Sequence, residues 1–188
     1  MLSRLAALLL RLFGWRTVYR PGPVPKGVII VYPHTSNWDF AVGMLFRFFY
    51  GVPIRWAAKD SLFRWPIRGL LLRLGGVPIN RRNPVGLIDQ LADEFARNDS
   101  LFLCITPEGT RARTDHWKSG FYRLATKAAV PVGLGFIDFG RKEAGVERWI
   151  TLSGEVEADL EVIRAYYADK QGYAPEKAGD IRFRSPAG

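Results

Sequence analysis

One histidine and one aspartate of this chain have the types and spacing of a general base and the carboxylate that orients it. His34 follows the apolar run "VIIVY" at 28–32, and Asp39 comes five residues later, just before an aromatic-rich run. A carboxylate beside one imidazole nitrogen fixes the tautomer and leaves the other nitrogen as a proton acceptor. Ser36 and Asp39 also form an S-x-x-D pattern, which is typical of a capped helix start. The pattern alone leaves both interpretations open.

Two further segments carry polar side chains that could bind an anion or a hydroxyl group. The segment "TPEGTR" at 106–111 places an acid, a glycine and an arginine after an apolar run. Glycine lets the backbone approach a ligand closely, and a guanidinium group pairs with phosphate. The segment "GGVPINRR" at 75–82 brings Arg81 out of a strand-like run. An ion pair between Glu108 and Arg111, or solvated arginines, would account for the same residues.

The composition excludes some classes of protein. With 188 residues and 48% hydrophobic content, the chain is long enough for one domain with a sizeable core. The single cysteine, Cys104, rules out an internal disulfide and lies in the apolar run "LFLCIT", which favours a core residue over a nucleophile. The net charge of +9, mostly from arginine, indicates an anionic partner. The basic residues form no dense tract and no recognition module, which argues against nucleic acid.

The alternation of strand-like and helix-like segments predicts the fold. Short apolar runs indicate strands, and longer amphipathic stretches between them indicate helices. This order is typical of a single α/β domain with a central, mostly parallel or mixed sheet covered by helices. We expect strands at 27–32, 53–58, 77–80, 101–105, 132–137 and 149–153, and helices at 38–50, 62–74, 85–98, 119–129 and 157–170.

The predicted strands place the polar candidates together. His34, Arg81 and Glu108 each follow a predicted strand directly. Because ligands of α/β sheets bind beyond the carboxyl ends of the strands, we expect these three side chains to converge on one cleft.

The N-terminal residues 1–20 predict an amphipathic helix, ahead of a main domain at 21–188. Leucines on one face and arginines beside it suit a helix lying in lipid headgroups. Packing of the same apolar face on the domain's own core is an equal alternative. A secretory signal is less favoured, since Arg11 ends the short apolar run at 5–10 and no cleavage site follows. The sequence contains no run of about 20 apolar residues that could span a bilayer.

Two other segments carry expectations of their own. The stretch 62–74 reads as an amphipathic helix with Phe63, Trp65 and Ile67, whose composition favours packing on the sheet over contact with acyl chains. The polar stretch "QGYAPEKAGD" at 171–180 reads as a solvated tail.

Taken together, the motifs resemble those of the glycerolipid acyltransferase family, whose best-known members are the 1-acyl-glycerol-3-phosphate acyltransferases. The family's blocks are H-x4-D, a G-x-x-x-I-x-R-like block, E-G-T-R and V-P-V, in that order. In this chain the four blocks occupy 34–39, 75–81, 108–111 and 130–132. The order and spacing cover most of the chain, and the combination is specific where each block alone is not.

The resemblance implies an O-acyltransferase with an α/β sheet sandwiched by helices. His34 would deprotonate an acceptor hydroxyl, Asp39 would orient it, and the hydroxyl would attack the thioester of an acyl-CoA or acyl-carrier protein. No cofactor and no metal are implied. The phosphate and glycerol of the acceptor would be held by Arg81, Glu108, Gly109, Thr110 and Arg111, with help from Lys59.

The implied partners are lipids. The leading acceptor is lysophosphatidic acid, and a lyso-ornithine lipid, another lysophospholipid or a glycolipid fits the same chemistry. The chain would lie peripherally on an anionic membrane, on its cytoplasmic side. The alternative is a catalytically inactive basic domain that binds lipid or nucleic acid.

Overall fold

A seven-stranded mixed sheet forms the centre of the molecule. The computed structural model of the protein describes residues 2–80 and 84–184. The helices are α1 Leu2–Leu12, α2 Trp38–Tyr50, α3 Arg68–Arg73, α4 Pro84–Arg97, α5 Gly120–Ala128 and α6 Val156–Tyr167. The strands are β1 Arg16–Tyr19, β2 Lys26–Val31, β3 Ile54–Lys59, β4 Gly76–Ile79, β5 Leu101–Ile105, β6 Val132–Asp138 and β7 Glu143–Ile150. Short 3₁₀ helices lie at Asp60–Leu62 and Pro175–Lys177.

The strand order is β1-β7-β6-β2-β5-β3-β4. Strands β2 to β6 run parallel, β7 is antiparallel to β6, and β1 is parallel to β7. The prediction of one α/β domain with a mostly parallel or mixed sheet is therefore confirmed. The strands β2 to β6 all end at one edge, which we call the carboxyl edge.

Helices cover both faces of the sheet because successive strand residues point to opposite sides. On one face, Val28 and Ile30 of β2 pack in a core that includes residues of α4, α5 and α6. On the other face, Ile29 of β2 packs with Phe46 of α2 and Val146 of β7. Helix α1 packs on α2 on this second side. The helix layer formed by α1 and α2 therefore covers the face of the sheet to which Ile29 of β2 points.

Helix α2 begins and ends where local sequence signals predict. Residues 38–50 were expected to be helical, and the helix spans Trp38–Tyr50. It ends at Gly51, whose φ of 65° lies in the left-handed region that glycine adopts without strain.

Three expectations about the elements are wrong. Strand β1 was not predicted, because it has only four residues and pairs with β7, far along the chain. The last strand is Glu143–Ile150 rather than 149–153, because β7 pairs with β6 along its whole length as a hairpin. The segment 62–74 is not one helix: Pro66 separates the 3₁₀ turn from α3, since proline has no N–H and restricts the residue before it. Within this segment Phe63 is buried, whereas Trp65 is 92% exposed and Ile67 is 47% exposed, so packing is wrong for the last two residues.

Candidate active site

The loop after β2 brings His34 and Asp39 together. The imidazole Nδ1 of His34 lies 2.9 Å from Oδ2 of Asp39, and the aspartate is only 3% exposed. The same Oδ2 accepts the backbone N–H groups of Thr35 at 2.9 Å and Ser36 at 3.0 Å. These bonds bend the loop so that the carboxylate faces the imidazole. Asp39 is thus at once part of a helix start and the neighbour of the histidine, and the two interpretations of the sequence are compatible.

The two side chains are in close contact without an aligned hydrogen bond. The ring N–H of His34 is not aligned on the oxygen, and Oδ1 of Asp39 accepts no hydrogen bond from the described residues. A carboxylate at this distance from Nδ1 favours a proton there and leaves Nε2 as the nitrogen that can accept a proton. Small adjustments on substrate binding can tighten such contacts.

Glu108 lies behind this loop and is 1% exposed. Its Oε2 accepts the backbone N–H of His34 at 2.7 Å, and its Oε1 accepts the backbone N–H of Gly179 at 3.0 Å. Burial raises the pKa of Glu108 to about 7, although the N–H groups of Gly179 and His34 act in the opposite direction. The sequence resemblance implies that this carboxylate binds substrate, and the structure places it against two backbone groups, one of them in the histidine loop.

A cavity of about 770 Å³ opens beside His34 and extends between α2 and the sheet. Polar residues of the carboxyl edge lie at one end, and the interior is mostly apolar. Its apolar lining includes Met44, Phe46, Ile54, Ile137 and Val146. A cavity of this size and lining suits an acyl chain, with its polar end at the imidazole.

Most of the other predicted binding residues line this cavity. Lys59 lies at the end of β3, and Gly109, Thr110 and Arg111 follow β5. Lys59 and Arg111 are exposed cations that can meet a phosphate group. Arg81, the remaining predicted ligand, lies outside the described residues. The parallel strands thus bring His34, Asp39, Lys59 and the 109–111 segment to one edge.

Lys118 is a cation of this edge that sequence reasoning missed. Its side chain passes over Gly109, so closely that a Cβ atom on this glycine would lie 2.9 Å from Nζ. Gly109 also has a φ of 65°, which L-residues with side chains rarely adopt. The backbone conformation therefore favours glycine in the E-G-T-R segment, whereas the flexible side chain of Lys118 would only have to move aside. The only sequence signal for Lys118 is its position just before α5.

Cys104 also lines the cavity, in its apolar floor. Burial raises the pKa of this thiol to about 12, so it is protonated at neutral pH and is a poor nucleophile. This environment agrees with a core role.

The stretch 171–180, expected to be a solvated tail, packs against the active-site loop. The N–H of Ala174 donates to Oγ1 of Thr35 at 3.1 Å, and the hydroxyl of Tyr32 donates to the carbonyl of Gly179 at 3.0 Å. The expectation of a solvated tail is therefore wrong for Gly172 and Gly179, which are buried, whereas Pro175–Lys177 is exposed as expected. These partners lie far away in sequence, and a polar, glycine-containing composition gives no sign of them.

The second histidine offers an internal comparison. Nδ1 of His116 lies 2.6 Å from Oδ1 of Asp115, so it also has a carboxylate partner. This pair lies in the loop before α5 and is not among the residues that line the cavity. A histidine–aspartate contact alone is therefore insufficient to define the site, and the cavity distinguishes His34.

Comparison with known proteins decides the family. The family model described as Acyltransferase matches residues 16–133, more than half of the chain. This chain belongs to the Acyltransferase family. The match includes His34, Asp39 and the segment 108–111, and it ends before α6 and the stretch 171–184. The family that the motifs indicated is confirmed.

A solved structure shows the same fold. The chain is similar to the crystal structure of PlsC, the 1-acyl-sn-glycerophosphate (LPA) acyltransferase from Thermotoga maritima, with a TM-score of 0.57 and 17% sequence identity. The similarity covers 89% of this chain and 77% of that chain. No curated protein matches the sequence significantly.

Proposed function

We propose that this acyltransferase moves a fatty acyl group from an acyl thioester, either acyl-CoA or acyl-carrier protein, to a hydroxyl group of a lysophospholipid. The leading acceptor is 1-acyl-glycerol-3-phosphate, the substrate class in the name of the similar structure. The observation that carries the proposal is the imidazole of His34, held 2.9 Å from Asp39 at the polar end of the apolar cavity.

In the proposed reaction, Nε2 of His34 takes the proton of the acceptor hydroxyl as its oxygen attacks the thioester carbonyl carbon. The carbon–sulfur bond then breaks, and the leaving thiolate recovers the proton from the imidazolium. Asp39 stabilises the positive charge that His34 carries in between. A positioned base of this kind contributes about 10²–10⁴ to the rate.

The cations at the cavity mouth support an anionic acceptor. Lys59, at the end of β3, and Arg111, in the loop after β5, line the polar end of the cavity. A phosphate bound between them would place a neighbouring glycerol hydroxyl near His34. The apolar interior would take the acyl chain, and burial of each methylene group contributes about 0.8 kcal/mol.

Release of free thiol tests the reaction. A panel of acyl donors with lysophosphatidic acid and other lysolipids would be assayed with wild type, His34→Ala and His116→Ala. We expect acceptor-dependent release that His34→Ala abolishes and His116→Ala preserves, because only His34 faces the cavity. Release that survives His34→Ala in a folded protein would remove His34 as the base. No release from any pair would favour the inactive lipid- or nucleic-acid-binding alternative.

We also propose that the protein binds peripherally to an anionic membrane, on its cytoplasmic side. Among the described residues, no helix is both long and apolar enough to cross a bilayer. Helix α1 buries Ala6 and Leu10 against the domain, so part of its apolar face packs on the core. Much of its apolar surface nevertheless stays exposed. The exposed leucines of α1 are Leu2, Leu5, Leu8 and Leu12.

The segment 60–73 also has exposed residues that suit contact with a membrane. It supplies cavity-lining residues and also exposes Trp65 fully, between Arg64 and Arg68. Tryptophan with flanking arginines suits the headgroup region, where the ring is half immersed and the guanidinium groups meet phosphates. An acyl chain could then pass from lipid to the cavity without crossing water.

Vesicle sedimentation tests this surface. Binding to anionic vesicles is expected to exceed binding to neutral ones and to weaken with salt, since each basic residue near the surface contributes about 1 kcal/mol. Leu8→Asp and Trp65→Asp should weaken binding. Val162→Asp is the matched control, because this exposed residue lies on α6, across the sheet. Vesicle binding that does not depend on lipid charge, or an equal loss of binding with Val162→Asp, would contradict the proposal.

A further inference from the structure

The C-terminal strap, which we define as residues 171–184, lies outside the matched family segment and contacts the active-site loop from behind. It contains only one short 3₁₀ turn, Pro175–Lys177, and otherwise follows the surface of the domain. Its ends are fixed by backbone bonds: Phe139 N–H donates to the carbonyl of Gln171 at 2.8 Å, and Trp117 N–H donates to that of Arg182 at 2.7 Å.

One hydrogen-bonded path from the strap leads to His34. The N–H of Gly179 donates to Oε1 of Glu108, and Oε2 of Glu108 accepts the N–H of His34 itself. The carboxylate of Glu108 is buried, and each of its two oxygens accepts one of these backbone N–H groups. A shift of Gly179 would therefore move the carboxylate and the backbone of the histidine.

A second path leads from the strap to Asp39. The N–H of Ala174 donates to Oγ1 of Thr35, and the N–H of Thr35 donates to Oδ2 of Asp39. This is the oxygen that contacts the imidazole. The strap thus reaches both members of the pair, through one intervening residue in each case.

We propose that the strap is a positioning element of the active site, which holds His34 through Glu108 and Asp39 through Thr35. The proposal rests on the acyl-transfer function proposed above. In it, Glu108 is a positioning residue and not a ligand of the acceptor. Burying a carboxylate costs desolvation free energy, and an apolar residue of similar volume could stabilise the fold equally well. The two hydrogen bonds that its oxygens accept from backbone N–H groups instead give the loop a defined position.

Close packing makes the strap sensitive to single methyl groups. A Cβ atom at Gly179 would lie 2.7 Å from Cγ2 and 2.8 Å from the carbonyl oxygen of Thr114, so the strap would have to shift. A Cβ atom at Gly120, the first residue of α5, would meet nothing within 4 Å. Gly179→Ala and Gly120→Ala are therefore the same chemical change with and without displacement of the strap.

The kinetic test compares these two variants with wild type. We expect Gly179→Ala to lower kcat by about ten- to a hundredfold, because small misplacements of catalytic groups have effects of this size. The KM values for donor and acceptor should stay within about twofold, since the strap contributes no group to the cavity. Gly120→Ala should behave as wild type. Loss of folded protein alone would lower the active fraction of Gly179→Ala but not the kcat per folded molecule.

A spectroscopic readout is independent of activity. The chain has only two histidines, so their ring signals in NMR spectra can be assigned with His116→Ala. We expect the His34 signals to shift in Gly179→Ala and to remain in place in Gly120→Ala. Unchanged His34 signals together with unchanged kcat in folded Gly179→Ala would overturn the proposal.

A second pair of variants tests the other path if Gly179→Ala does not fold. Thr35→Val removes the acceptor for Ala174 at nearly constant volume, whereas Thr35→Ser retains a hydroxyl. We expect Thr35→Val to lower kcat and Thr35→Ser to restore it, and equal rates for the two would count against the strap. A wild-type protein inactive with every donor would instead refute acyl transfer, a result distinct from either outcome.

Discussion

The burial of Glu108 predicts a pH dependence of stability that one substitution should remove. Burial raises the pKa of this carboxyl from 4.5 to about 7 in the folded protein. Below about pH 4.5 the group is protonated in both states. Between about pH 4.5 and 7 the unfolded chain releases the proton while the folded protein keeps it, so stability falls as the pH rises. Above the folded pKa the loss is complete.

The magnitude follows from the size of the shift. Each pKa unit corresponds to about 1.4 kcal/mol, so the shift from 4.5 to about 7 corresponds to a loss of about 3 kcal/mol. In a domain of this size, 1 kcal/mol changes the melting temperature by about 2–4 °C, which gives a loss of about 6–12 °C. Glutamine at position 108 has a similar shape and does not titrate.

The assay is thermal unfolding of wild type and Glu108→Gln at pH 4.5 and pH 8. The difference in melting temperature, wild type minus variant, should be lower at pH 8 by the amount given above. Other titrating groups cancel in this difference. Glu176→Gln, at an exposed position of the strap, is the matched control and should show no such change. A difference that is the same at both pH values would refute the conclusion that burial controls this carboxyl.

Three further predictions concern the pair, the cavity and the thiol. Asp39→Asn should lower kcat by about 100-fold or more in a folded protein, because the charge beside Nδ1 is lost; a loss below tenfold would show that the carboxylate is dispensable. Gly43→Leu should fill free space in the cavity and lower kcat/KM for long-chain relative to short-chain donors by about tenfold. Equal effects on long-chain and short-chain donors would show that the acyl chain of the donor binds outside this cavity. Cys104 should resist iodoacetamide at pH 8 until urea unfolds the protein, given its raised pKa, and rapid alkylation of native protein would contradict this.

The histidine–aspartate pair was predictable because its geometry is local. Five residues of spacing, a strand before the histidine and a helix start at the aspartate leave the loop few ways to close. Helix α2 occupies the expected residues for the same reason. Convergence of the E-G-T-R segment on the pair also followed from sequence, since parallel strands deliver their following loops to one edge.

Other features depend on partners remote in sequence, and only the tertiary structure decided them. Strand β1 has only four residues and pairs with β7, which lies far along the chain, so this pairing decides its place at the edge of the sheet. The exposure of Trp65 depends on the break at Pro66, which separates the 3₁₀ turn from α3. The amino-acid composition predicts neither the strand pairing nor the exposure of Trp65.

The strap and Glu108 show most clearly which features the sequence determines and which depend on the tertiary structure. The sequence by itself determined that an acid follows β5 and that a polar stretch lies at 171–180. Only the fold decided that Gly179 meets Glu108 and that Glu108 meets the backbone of His34. The physical reason is that these bonds use backbone N–H groups, which every residue except proline carries, and so no residue type marks them in the sequence.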